Sequence, residues 1–138
     1  MSRAISNIEQ AMSKAMAEKP KVGGFPYLAE CLRRVGVTQN LWFLPACESI
    51  YLTNDGPVVS QATPLLTGLA EVPSFDQEAL IRALRIDQAG DSTFPEFIAA
   101  CFRAGVVRYN ADFEARTVAY YGCYGEEYLE AYSAVDVH

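Results

Sequence analysis

The 138-residue sequence predicts an α+β fold, built by duplicating one helix–helix–strand–strand–strand unit into a single domain with antiparallel sheet. Three observations point there. Phe25-Pro26-Tyr27-Leu28-Ala29-Glu30-Cys31-Leu32-Arg33-Arg34-Val35-Gly36-Val37 is echoed 69 residues later, half the chain length, by the stretch from Phe94-Pro95 to Gly105-Val106. In that register Phe25/Phe94, Pro26/Pro95, Arg34/Arg103, Gly36/Gly105, Val37/Val106, Tyr51/Tyr120 and Gly56/Gly125 are identical, and they fall on expected helix starts, helix stops, strands and turns. After each Gly-Val exit the helical period gives way to short extended runs. The repeats span about residues 6–62 and 75–131 of a domain covering 1–138.

Taken in order, residues 2–18 place Ile5, Ile8, Met12 and Ala15 on one face of a helix. Lys19-Pro20-Lys21-Val22-Gly23-Gly24 breaks it, since Pro lacks the donor that would extend the ladder. Phe25 to Val35 forms a shorter helix with Pro26 in its first turn, where a missing N–H costs nothing, and Gly36 as its left-handed stop. Val37 to Leu44 is extended and apolar on both faces around Trp42. Glu48–Thr53 and 58–62 flank Asn54-Asp55-Gly56, a hairpin turn, and Pro57 assigns the returning strand to a sheet edge. Residues 64–72 connect the halves.

In the second half Ser74 and Gln77 suggest a capping box for a helix bearing Leu80, Ile81 and Leu84. Thr93 and Glu96 suggest another for the helix of Phe94, Phe97, Ile98, Cys101 and Phe102, stopped by Gly105. Residues 106–110 and 116–122 read as strands. The tail from Gly125 suits either a helix, by Tyr124, Tyr128 and Tyr132, or a strand, by alternation; the repeat decides for a strand.

Composition narrows the function. Hydrophobic residues make up 51% of the chain, too many for disorder, yet no apolar run approaches the roughly 20 residues needed to span a bilayer. No apolar stretch follows Arg3, so no secretory leader is expected, and the expected location is the cytoplasm. Net charge is +1 over residues 1–69 and −7 over 70–138, the total of −6 arguing against nucleic acid as a partner. Cys31, Cys47, Cys101 and Cys123 lack metal-ligand spacing and read as reduced thiols. The lone histidine is the last residue, so no internal histidine serves a catalytic triad or a metal. No cofactor, metal or catalytic residue is expected.

Gly23-Gly24-Phe25-Pro26 before a short helix, the Gly36-Val37 exit, and the ending Tyr120-Tyr121-Gly122-Cys123-Tyr124-Gly125-Glu126-Glu127-Tyr128-Leu129-Glu130-Ala131-Tyr132 resemble the YdfO-like family. These are small uncharacterised bacterial proteins, often encoded near prophages and sometimes labelled phage envelope protein. The resemblance implies an α+β fold and a bacterial or phage setting, and it brings no catalytic residues.

Six of the eight tyrosines lie in the last thirty residues. They read either as cross-strand pairs within the sheet or as a recognition face, since tyrosine joins a large apolar body to a polar tip. The candidate binding residues are Tyr109, Tyr120, Tyr121, Tyr124, Tyr128, Tyr132 and Trp42. Glu126, Glu127 and Glu130 beside them read as a solvated face. The leading reading is a non-enzymatic interaction or regulatory module with a protein partner and no membrane role. The alternative is a small-molecule-binding protein or minor enzyme, with a pocket between the halves.

Overall fold

The computed structural model describes residues 2–137. The elements run α1 (Arg3–Glu18), α2 (Gly24–Arg34), β1 (Val37–Phe43), β2 (Glu48–Thr53), β3 (Val58–Gln61), α3 (Gln77–Gln88), α4 (Phe94–Arg103), β4 (Arg108–Asp112), β5 (Thr117–Tyr121) and β6 (Glu127–Ala131). The fold is α+β, and the helix–helix–strand–strand–strand order occurs twice. All six strands form one antiparallel sheet in the order β3-β2-β1-β4-β5-β6, so the halves join edge to edge through β1 and β4. At that seam Leu41 pairs with Asn110, 69 residues apart. Equivalent positions therefore meet there, and a pseudo-two-fold axis passes between them.

Local chemistry explains the helix ends. Ser2 Oγ accepts from Ile5 N at 3.1 Å to open α1. Thr93 and Glu96 cap α4 reciprocally, at 3.3 and 2.8 Å. The α3 cap differs from the Ser74–Gln77 box expected from sequence: Asp76 is the N-cap, its carboxylate accepting from Ala79 N at 3.1 Å. The reason is tertiary. Asp76 N donates to Ala104 O at 2.8 Å, which holds Ser74 and Phe75 against the end of α4 instead of inside a helix.

That contact makes Gly105 special. Val106 N donates to Cys101 O at 3.0 Å and Gly105 N to Phe102 O at 2.9 Å, a Schellman stop with Gly105 at φ 87°. A Cβ on Gly105 would lie 2.6 Å from the Phe75 backbone, whereas one on Gly36, at φ 93°, would meet only the Asn54 side chain at 3.2 Å.

By register, Tyr51, Asn40, Trp42, Tyr109, Ala111, Tyr120, Val118, Tyr128 and Glu130 share one sheet face. All four helices cover that face. Between helices and sheet lie Ile8, Ala11, Ala15, Ala29, Leu32, Leu80, Leu84, Phe97, Ile98 and Cys101, all buried. Each Phe-Pro helix start reaches into the opposite half: Phe94 meets Trp42 at 5.2 Å, and Phe25 meets Tyr132 at 5.4 Å. The tail returns to the first half, where Arg34 Nη1 donates to Val137 O at 2.5 Å. Arg34 also holds buried Glu30 at 2.9 Å, and Arg33 holds it at 2.8 and 2.7 Å. The Arg33 guanidinium, aided by Arg34, outweighs burial and brings the Glu30 carboxyl down to about 2.

Two outcomes are expected. Gly36→Ala costs about 1–2 kcal/mol for its left-handed backbone, and Gly105→Ala adds an overlap of about 1–3 kcal/mol. Equal urea midpoints for the two variants would refute that ranking. Because Glu30 titrates below its unfolded value, its contribution is present above about pH 4.5 and fades as pH falls toward about 2. It is worth at most roughly 3 kcal/mol, less for screening at arginines 41% and 47% exposed. Glu30→Gln is expected to flatten the acid-unfolding curve across that window; an unchanged curve would contradict the assignment.

Candidate binding surface

The structure distributes the seven candidate residues among several environments. Tyr51 pairs with Val58, but its equivalent Tyr120 pairs with Tyr128, so the second hairpin is one residue longer than the first. The ungapped repeat register ends there. A one-residue slip moves every side chain of a strand to the other face, and it turns Tyr128 and Glu130 toward the helices. Trp42, Tyr109 and Tyr120 form an aromatic row beneath the helices, with centroids 6.1 Å and then 5.6 Å apart. Tyr109 and Tyr120 are buried, Trp42 and Tyr128 half-buried. Tyr132 lies against Phe25, and Tyr124 stands at the hairpin tip, 95% exposed. Tyr121 alone of the seven is on the uncovered sheet face, with the Arg108 guanidinium carbon 3.9 Å from its ring centroid.

Burial dominates the chemistry under the helices. It pushes the Tyr109 and Tyr120 hydroxyls well above their ordinary value and the Cys101 thiol up to about 12. A thiol held so firmly protonated is a poor nucleophile. Cys31 and Cys47 are also buried, Cys123 is exposed, and all four are free.

Glu130 is not part of a solvated face. It accepts from Arg85 Nη1 at 2.8 Å, Gln88 Nε2 at 2.5 Å and Tyr128 Oη at 2.8 Å, clasping β6 to α3. Burial pushes its carboxyl up, but these donors together hold it below the ordinary value. Glu126 instead accepts from Tyr124 N at 3.0 Å and closes the hairpin turn. Sequence alone had no signal for the clasp, because the α3 partners Gln88 and Arg85 lie 42 and 45 residues from Glu130.

The uncovered face carries a row that crosses every strand: Val59, Ile50, Leu41, Asn110, Ala119 and Leu129. Val59 is 65% and Leu129 57% exposed. Beside it run Gln61, Glu48, Phe43, Arg108, Tyr121 and Glu127. On the helical side, a half-open cleft of about 450 Å³ lies between α1 and the β2–β3 edge, within the first half and away from the seam. A second, of about 210 Å³, separates α1 from α2 beside Val137. Among the described residues no His, Cys, Asp or Glu group has the arrangement of a metal site, and no helix is long and apolar enough to cross a membrane.

A family model for proteins of unknown function, DUF1398, matches residues 13–131. The chain belongs to that family. Similar curated proteins include uncharacterized proteins of Mycobacterium bovis and Mycobacterium tuberculosis. Each is 52% identical over 136 residues, which is 99% of this chain and 83% of the relative. The DUF1398 match covers both halves of the duplication, from within α1 to the end of β6.

The buried phenols give a direct check. Raised folded values mean that their contribution is whole below about pH 10 and is lost as pH climbs through those values. Of the eight tyrosines, Tyr109 and Tyr120 are expected to ionise only as the protein unfolds in alkali, followed as tyrosinate absorbance. Tyr120→Phe is expected to remove one such late phenol. Ionisation of all eight near pH 10 in folded protein would contradict the burial of the aromatic row.

Proposed function

We propose that this protein is a non-enzymatic interaction module that docks a protein partner on the uncovered face of its sheet. One observation carries the reading: the apolar row of Val59, Ile50, Leu41, Ala119 and Leu129, interrupted only by Asn110, runs across all six strands with no layer over it among the described residues. A sheet face of this kind ordinarily packs on something. Tyr121 and Phe43 flank the row and supply aromatic contact area.

The partner is basic at its rim. Among the described residues, the strands place Glu48, Asp112 and Glu127 on this face against one cation, Arg108, which is already engaged with Tyr121. With a net charge of −6, a second copy meets like charge here, so a different, cationic protein fits better. The sealed Cys101 and the absence of internal histidine from the sequence support a role in binding over catalysis. The likeness of Gly23-Gly24-Phe25-Pro26 and of the Tyr120–Tyr132 ending to YdfO-like proteins supports a phage or prophage setting. Three buried free thiols support a reducing, cytoplasmic one.

Photocrosslinkers placed at Phe43 and Leu129 in living cells are expected to trap one basic protein. Purified, that protein is expected to bind wild type and to lose at least about tenfold affinity for Leu129→Glu, on the scale of a central interface contact. Unchanged affinity, or a purified chain that dimerises through this face, would overturn the reading. A trapped host protein unrelated to phage would overturn the setting alone.

A further inference from the structure

The two halves invite a comparison on the opposite, helix-covered side of the sheet. In the second half the outer strand β6 is sealed to α3, with Glu130 held by Arg85, Gln88 and Tyr128. Through the pairings of Ser49 and Val118, Ser60 occupies the place of Glu130, and Val58 that of Tyr128. Met16 and Lys19 stand 69 residues before Arg85 and Gln88. None of these four can rebuild the clasp. Over Val58 and Ser60 lies the 450 Å³ cleft instead, with Ile5, Ile8 and Met12 of α1 above and Tyr51 also on its floor.

The cleft is bounded by a helix on one side and a free sheet edge on the other. Among the described residues β3 pairs only with β2, so its outward N–H and C=O groups have no neighbouring strand. Edge strands exposed in this way are templates for another strand unless charge, proline or a covering segment blocks them. β6 carries Glu127 and Glu130, while β3 carries no charge. Val59 also lines the cleft, so the cavity reaches around the β3 backbone to the edge itself.

We propose that the α1–β3 groove binds an extended peptide segment, which adds to β3 as a seventh strand and turns alternate apolar side chains beneath α1. Strand addition takes affinity from main-chain hydrogen bonds and selectivity from pockets for every second side chain. Four β3 residues span about 13 Å, enough for a segment of roughly four to six residues. The surrounding charge selects its ends. Glu9 lines the groove, and Asp55 is held beside α1 by Asn7 at 3.4 Å. A segment with lysine or arginine flanking its apolar residues complements that rim.

A random library of ten-residue synthetic peptides, screened against the full chain, tests this. Binders are expected to alternate apolar and polar residues and to carry basic ends. Backbone N-methylation at alternate positions of the best binder is expected to weaken it about tenfold, with the intervening positions within about twofold, the pattern of one-sided strand pairing. Ile5→Glu, at a site 39% exposed, and Ser60→Lys, also exposed, are each expected to lower affinity at least about fivefold without unfolding the chain. Ile86→Glu on α3 serves as the control that leaves binding unchanged. Failure to enrich any peptide, N-methyl sensitivity at helical spacing, binding indifferent to both groove variants, or occupation by a small apolar probe but no peptide would each overturn the proposal.

Discussion

Everything else in the molecule hangs on the antiparallel ladder between β1 and β4. A three-stranded antiparallel unit has two bare edges, each a row of unpaired N–H and C=O groups. Joining the units at Leu41 and Asn110 turns two of the four edges into sheet interior and leaves only β3 and β6 outermost. It also places the two Phe-Pro helix starts where each finds an aromatic partner in the other half. The ladder and these two aromatic contacts therefore belong to the pair of repeats rather than to either one.

Once joined, the repeats are free to differ. Trp42 of the first half stands where the second has Ala111, and Tyr109 where the first has Asn40, so one large and one small side chain share each pair of equivalent places near the axis. The same division of labour shows at the edges. One outer strand is closed by a carboxylate clasp and the other lies beside an apolar cleft. Symmetry in the backbone supports asymmetry in the chemistry.

What could be read from the sequence was what local physics decides. Gly36 and Gly105 stop helices because only glycine enters the left-handed region freely, and Thr93 with Glu96 caps α4 whatever lies around it. Those rules, applied twice at a spacing of 69, were enough for the element order. Long-range events were hidden. The cap moved from Ser74 to Asp76 because Ala104 O captures the Asp76 amide. Tyr128 could not be assigned to its face, because one extra residue in the last hairpin reverses the strand that follows it. The groove beside β3 came into view only when the edge strands were identified.

The seam also has a consequence for how the protein comes into being. Gln39 to Phe43 meet Arg108 to Asp112, so for most of its synthesis β1 has one finished side and one bare side, with Leu41, Trp42 and Phe43 upon it. Pairings so distant in sequence form slowly. A chain cut or halted between β3 and α4 keeps that bare strand permanently, with β1 as a long, apolar edge and without the Phe94 that covers Trp42. Such a fragment is a template for its own kind, and the intact protein escapes that fate by carrying its partner strand on the same chain.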